Sequence, residues 1–201
     1  MDALKTASLY KTVCERRSIR KVGNEPAVDR KKIEDVVKMA LHVPSAFNMQ
    51  SGRIAVLLEK EHVDFWEMVV QALKEKAAPD RFEAAQSKIR GFQSGIGTLL
   101  FFEDEKTIQQ LREKYITYKD QFTVWSHEGS GMLQYAAWLG LTANGFGASL
   151  HHYNLLIDEQ VKAKWAFPSE WEMIAQMPFG WPAEEVDDRA FLPIEEVVRW
   201  V

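Results

Sequence analysis

One cysteine, Cys14, occurs in the whole chain of 201 residues. No intrachain disulfide can form, so a reduced compartment is expected, with Cys14 as a small buried thiol. Basic charge is also scarce. The 25 Lys and Arg are outnumbered by 29 Asp and Glu, a net charge of −4. A nucleic-acid binder needs a basic face to meet phosphates, and this balance argues against one. No run approaches the ~18 apolar residues of a membrane span. The opening Met1-Asp2-Ala3-Leu4-Lys5 lacks the apolar core of a signal peptide. A cytoplasmic protein with no membrane span is the expectation.

Several catalytic signatures are missing too. There is no Gly-x-Ser-x-Gly elbow, so serine-hydrolase chemistry has no support. No HExxH pattern occurs, because His127-Glu128 is followed by Gly129-Ser130-Gly131, and no metal site is expected. Gly95-x-Gly97 and Gly145-x-Gly147 start like a dinucleotide fingerprint, but Leu100 and Leu150 stand where its third glycine belongs. A phosphate-binding Walker loop is absent as well.

What is present points to a soluble α/β or α+β protein of one domain, residues 1–201. Apolar residues make up 46% of the chain, enough for a sizeable core. Asp29 is a fair N-cap for a helix bearing Ile33, Val36, Val37, Ala40 and Leu41 on one face, ended by Pro44. Further helices are expected over 3–16, 61–76, 80–90, 105–115, 130–143 and 158–165. The 130–143 segment is apolar nearly all round, which suits a central or interface helix. Ile54–Leu58 and Thr98–Phe102 read as strands covered on both faces. Trp171–Met177 reads as another strand, closed by Pro178-Phe179-Gly180-Trp181-Pro182. The apolar tail from Phe191 to Val201 should pack on its own core or on a partner.

Two runs carry chemistry. Arg16-Arg17-Ser18-Ile19-Arg20 places three guanidinium groups and a hydroxyl at the end of a helix. Such a cluster is either a solvated face complementing the helix dipole or a cradle for a doubly charged phosphate. Pro44-Ser45-Ala46-Phe47-Asn48-Met49-Gln50-Ser51 is either a turn-rich loop or a source of directional bonds to a polar heterocycle. Together they suggest a site for a phosphorylated heterocyclic cofactor.

These two runs, with Gly145-x-Gly147-Ala148-Ser149-Leu150-His151-His152-Tyr153-Asn154, occur in one order along nearly the whole chain. The set resembles the FMN-dependent nitroreductase family, and most closely its short fatty-acid-repression and copper-induced branch. Val124-Trp125-Ser126, the Gly97–Asp104 run and Ala175–Gly180 add to the likeness. The resemblance implies an α+β fold with a central mixed sheet flanked by helices, built as an intertwined homodimer with FMN at the interface. It implies that Arg16, Arg17, Ser18 and Arg20 hold the FMN phosphate, ribityl chain and ring edge, with Arg189 completing the clasp. Pro44, Ser45, Ala46 and Asn48 would approach from the other subunit, with Gln50 in the same loop. Ser149, Leu150 and His151 would cover one face of the ring and aim a backbone N–H at N5. Lys88 or Arg90 would neutralise the N1–O2 edge.

The implied chemistry is ping-pong: NAD(P)H reduces the flavin, then a nitroaromatic or quinone reoxidises it. No catalytic side chain is then needed, since the flavin carries the hydride. The chain departs from longer members at Leu150-His151-His152-Tyr153, which bears on acceptor choice. A flavin-binding sensor in stress or lipid signalling is the alternative reading.

Overall fold

The computed structural model describes residues 9–76 and 78–201. The start of the helix expected over 3–16 lies outside the described residues, and α1 runs Leu9–Glu15, with Cys14 exposed on it and not buried as expected. The other elements are β1 (Val22–Gly23), α2 (Arg30–Ala40), β2 (Gly52–Leu58), α3 (Glu59–Lys76), α4 (Pro79–Gln93), β3 (Gly97–Asp104) and α5 (Glu105–Lys114). They continue with α6 (Phe122–Ala143), β4 (Gly147–Ala148), α7 (Asn154–Trp165), β5 (Trp171–Pro182) and α8 (Ile194–Val197). The class is α+β.

β3 is the axis of the molecule, and every one of its residues is buried. The strands run in the order β1-β5-β3-β2, with β4 paired to β5. These pairings are all antiparallel, and among the described residues a parallel element enters only as the bridge between Ser18 and Ala148. Side chains of a strand alternate between its faces. Leu99 and Phe101 therefore point into one core, with Val36 of α2, Ala137 and Leu141 of α6, and Met177 of β5. Leu100 and Phe102 point into the other, with Trp66 and Val69 of α3, Phe92 of α4 and Val161 of α7. That double burial is why Thr98–Phe102 is a continuous apolar run.

The similar run in β2 has a different fate. It was expected to be covered on both faces, but β2 is an edge strand of mostly half-buried residues, and Val56 is 39% exposed. An apolar run shows that a strand needs cover, not which chain supplies it. The tail behaves alike. Phe191, Leu192 and Trp200 are exposed, so the tail does not pack on its own core.

α6 starts well before the expected residue 130 and carries Gly129-Ser130-Gly131 inside it. Those breakers are tolerated because the helix is locked at both halves. Phe122 is fully buried. Further along, a Cβ on Gly140 would sit 2.6 Å from Met39 Cε, so the small residue lets α2 and α6 approach closely. Asp29 caps α2 as expected, its side chain accepting from the Lys31 N–H at 2.9 Å. β5 continues through the segment expected to close it. Pro178 lies opposite Thr98 and takes the Ser149 N–H on its carbonyl.

Candidate active site

The arginine run leaves α1 and lies along β4. The Ile19 N–H donates to the Ala148 carbonyl at 2.9 Å, beside the Ser18–Ala148 bridge. The fit is tight because Gly147 has no side chain: a Cβ there would meet Ile19 Cβ at 2.8 Å. Side chains alternate in such an extended segment, so Arg16, Ser18 and Arg20 share one side and Arg17 takes the other. Arg17 accordingly turns to the tail, where its Nη2 donates to the Asp187 carbonyl. Backbone N–H groups of Arg20 and Lys21 both donate to Glu184 Oε1, at 2.5 and 3.0 Å.

Arg16 lies flat on α6, its guanidinium carbon 4.3 Å from the Trp138 ring centre. Burial and the neighbouring charge of Arg189 hold its pKa below the ordinary value, against a raising contribution from Tyr135. Arg189 itself stacks on Phe191 at 4.8 Å. A second cationic pair faces the adjoining turn. Burial and the charge of Arg20 lower the pKa of Lys88 on α4. Both cations bear on His151, whose pKa burial, Lys88 and Arg20 push down to about 3. Lys88 is thus the α4 cation whose charge reaches this turn.

Among the described residues, none of Arg16, Arg17, Arg20, Lys88 and Arg189 pairs with a carboxylate. The one carboxylate described at the run, Glu184, is taken by the Arg20 and Lys21 backbone N–H groups rather than by a cationic side chain; like charges so gathered repel one another and are stabilised by a bound anion.

The Ser149–His151 turn is clamped onto β5. The His151 N–H donates to the Gln176 carbonyl at 2.8 Å, and the Gln176 N–H returns the bond at 2.9 Å. Gln176 Oε1 also accepts from the Tyr153 N–H at 2.6 Å. The His151 amide is therefore unavailable to a ligand. In an antiparallel ladder alternate amides point away from the partner strand. That leaves the Leu150 N–H, which has no partner among the described residues. The His151 ring, hydrogen-bonded to Ser149 Oγ at 2.8 Å, packs on Phe92 at 4.2 Å and near Trp66 and Tyr153.

The loop from Pro44 to Ser51 is built differently. Phe47, Asn48 and Gln50 all take positive φ, at 53°, 52° and 46°. Left-handed backbone is unfavourable for residues with a Cβ. Packing and bonds hold it here. The Phe47 ring sits among Tyr115, Tyr118, Phe122 and Trp125, at 4.7–5.9 Å. Ser45 Oγ accepts from the Gln50 N–H at 3.0 Å. Asn48 and Gln50 are left exposed. Beneath the loop lies a cavity of about 400 Å³ lined by Ser45, Gln50, Ser126, Leu133 and Glu103. Nothing in the sequence pattern sets Glu103 apart from the rest of the Gly97–Asp104 run.

The structure thus gathers Arg16, Ser18, Arg20, Ser149, Leu150, His151 and Arg189 at one end of α6, with Arg17 just behind them. It does not bring Pro44, Ser45, Ala46, Asn48 and Gln50 to them. Phe47 stacks near Trp125 and Arg16 on Trp138, so the two groups are about 20 Å apart along the helix.

The nitroreductase family profile matches residues 13–181, and the chain belongs to that family. The family assignment supports flavin-dependent oxidoreductase chemistry. Among individual relatives, the chain is similar to HBN1 of Saccharomyces cerevisiae, 29% identical over 189 residues that cover 92% of this chain and 94% of that one. It also resembles the nitroreductase CinD from Lactococcus lactis, solved with nicotinic acid: 34% identity, 96% of this chain and 100% of that one, TM-score 0.89. A nitroreductase-fold protein from Exiguobacterium sibiricum, solved in complex with FMN, shares the fold at TM-score 0.73 and 15% identity, over 98% of each chain.

Proposed function

We propose that this single-domain chain is a cytoplasmic, homodimeric FMN-dependent oxidoreductase that takes hydride from NAD(P)H and reduces nitroaromatic or quinone-type acceptors by a ping-pong mechanism. The observation that carries the reading is the set of cationic side chains around the Ser18–Ala148 bridge, none of them in a salt bridge among the described residues. The donors fit FMN at both of its electron-rich ends. Arg16, Ser18 and Arg189 suit a phosphate, whereas Lys88 and Arg20 suit the anionic N1–O2 edge of a reduced ring. Leu150 offers the open backbone N–H to N5. Bound there, FMN would accept hydride from NAD(P)H and pass electrons to the acceptor.

The chain's own residues bind and orient. Trp66, Phe92 and Tyr153 fix the His151 ring and hence the turn. His151 is neutral at physiological pH, so it adds no charge that would compete with Lys88. The remaining half of the site, Pro44 to Gln50, is about 20 Å away in the same chain, and a second copy supplies it. Exposed Val56 on the β2 edge and the apolar tail give that copy apolar surface to cover.

Anaerobic reduction of FMN-loaded protein by NADH or NADPH, then reoxidation by 4-nitrophenol or a quinone, tests the reading. Bleaching and full recovery over repeated cycles are expected. Protein that takes up no FMN refutes it. Flavin that binds but is not reduced by either nicotinamide refutes the enzymatic part.

A further inference from the structure

Glu103 lies on β3 opposite Gly52 of β2 and is 1% exposed. Ser51 Oγ donates to its Oε2 at 2.5 Å, whereas Oε1 is buried with no hydrogen-bond partner. Oε1 faces Gly52, where a Cβ would sit 3.7 Å away, at the floor of the cavity beneath the 45–51 loop. A buried carboxyl with an orphaned oxygen is unfavourable and persists only where something else is gained.

The loop above it needs an anchor. Its left-handed residues hold their geometry only if the surroundings enforce it. Three ties do so. Gln50 donates its N–H to Ser45 Oγ, Arg53 Nη1 donates to the Gln50 carbonyl at 2.6 Å, and Ser51 bonds Glu103. The first two are exposed to water, and the third is the buried one among these side-chain bonds.

We propose that Glu103 is a positioning residue: through Ser51 it holds the 45–51 loop in the left-handed geometry that presents Ser45, Asn48 and Gln50 to the cofactor. The mention of cofactor rests on the function proposed above, but the loop geometry does not. Burial, with Glu105 on α5 adding to it, lifts the Glu103 pKa to about 7; Ser51, Ser130 of α6 and Arg53 of β2 oppose that rise. Arg53 is the cation nearest to hand, and Asp104 already holds its Nη2 at 2.6 Å. A charged Glu103 therefore gains by letting water reach Oε1, which opening the loop allows. The loop is tight when the acid is neutral and loosens as it ionises.

Amide hydrogen exchange of residues 45–51 in the cofactor-free protein, corrected for intrinsic rates, tests this between pH 6 and 8.5. The parent should lose about tenfold in protection across that range. Glu103→Gln should show no such change, and Glu103→Leu provides a second variant if the glutamine fails to fold. FMN affinity, read by flavin fluorescence, should follow: weaker at pH 8.5 in the parent and flat in Glu103→Gln. Ionisation of the FMN phosphate is common to both proteins and cancels in that comparison. A pH-independent loop in the parent, or an unchanged pH response in Glu103→Gln, overturns the proposal. A parent that binds no FMN at any pH overturns the proposed function instead, while the exchange data still decide the role of Glu103.

Discussion

The two ends of α6 hold the two halves of the candidate site by opposite means. Around Trp138 the chain collects cations, aligns them along an unstrained bridge to β4, and leaves their charge unbalanced. Around Trp125 it offers neutral amides and hydroxyls on a left-handed backbone, held by a ring cluster and a buried acid. The first half is arranged for affinity toward an anion; the second is arranged for geometry. Charge acts over several ångströms and tolerates small displacements, whereas an amide bond needs placement within a few tenths of an ångström. The cationic half therefore needs little strain, and the neutral half accepts a good deal.

The largest effect should follow from removing charge. Arg16→Ala and Arg20→Ala each delete charge-assisted bonds that contribute roughly 1.5–3 kcal/mol, and the double variant should purify without flavin. Arg17→Ala is the internal control. Its fork already serves the Asp187 carbonyl, so FMN affinity should change several-fold at most. Fluorescence titration measures all three. Equal losses for Arg16 and Arg17 would break the assignment of sides along the run.

Next is the seat of the cationic half. Gly147→Val puts methyl groups into Ile19 and should destabilise the fold by ~1–3 kcal/mol, the usual cost of overpacking. Adding Ile19→Ala should restore much of that stability in denaturant melts. If the second change deepens the loss, the run does not rest on Gly147 in the way described. The neutral half has its counterpart in Phe47→Ala. That variant keeps the unfavourable φ but loses the ring contacts, for an expected loss of about 1–2 kcal/mol because the ring is 48% exposed. Its FMN affinity should fall less than in Arg16→Ala, and a larger fall would erase the contrast between the halves.

Much of this was legible in the sequence, for reasons specific to particular residues. The Thr98–Phe102 run could be read because both faces of β3 are buried within one chain. The Asp29 cap could be read because capping is local. Arg16, Ser18 and Arg20 stood out because phosphate recognition needs a dense set of donors. What escaped depends on distant pairings. Lys88 and Arg90 look alike along α4, and only the turn at His151 separates them. The Ile54–Leu58 run looked like a covered strand because an apolar pattern does not say whose surface covers it. Glu103 did not stand out because its burial comes from Gly52, Ser51 and α6, none of which is adjacent in sequence. The Pro178–Pro182 segment looked like a terminator, yet β4 borrows its carbonyls and keeps it in the sheet.

The smallest effect is a slope, and it sets the buried imidazoles of His151 beneath the turn and of His62 on α3, which bonds Thr98, against the buried acid beneath the loop. Burial lowers the pKa of His62 to about 4, and burial with neighbouring cations lowers that of His151 to about 3. From about pH 4.5 to 6.5 each is protonated in the unfolded chain and neutral in the folded one. The unfolded state then binds more protons, and stability rises with pH by about 1.4 kcal/mol per unit for each group. Glu103 does the reverse, because its folded pKa is raised to about 7: the folded state keeps its proton, and stability falls as pH rises by the same amount per unit. Glu103→Gln should therefore steepen the acid limb of the stability curve by about 1.4 kcal/mol per pH unit, whereas His151→Gln should flatten it by as much. Urea melts at half-unit steps from pH 4.5 to 7 resolve the two signs. If both variants shift the slope in the same direction, the acid beneath the loop and the imidazole beneath the turn are not the opposed pair described. If Glu103→Gln alone leaves the slope unchanged, Glu103 is already ionised in the fold and the loop has some other anchor.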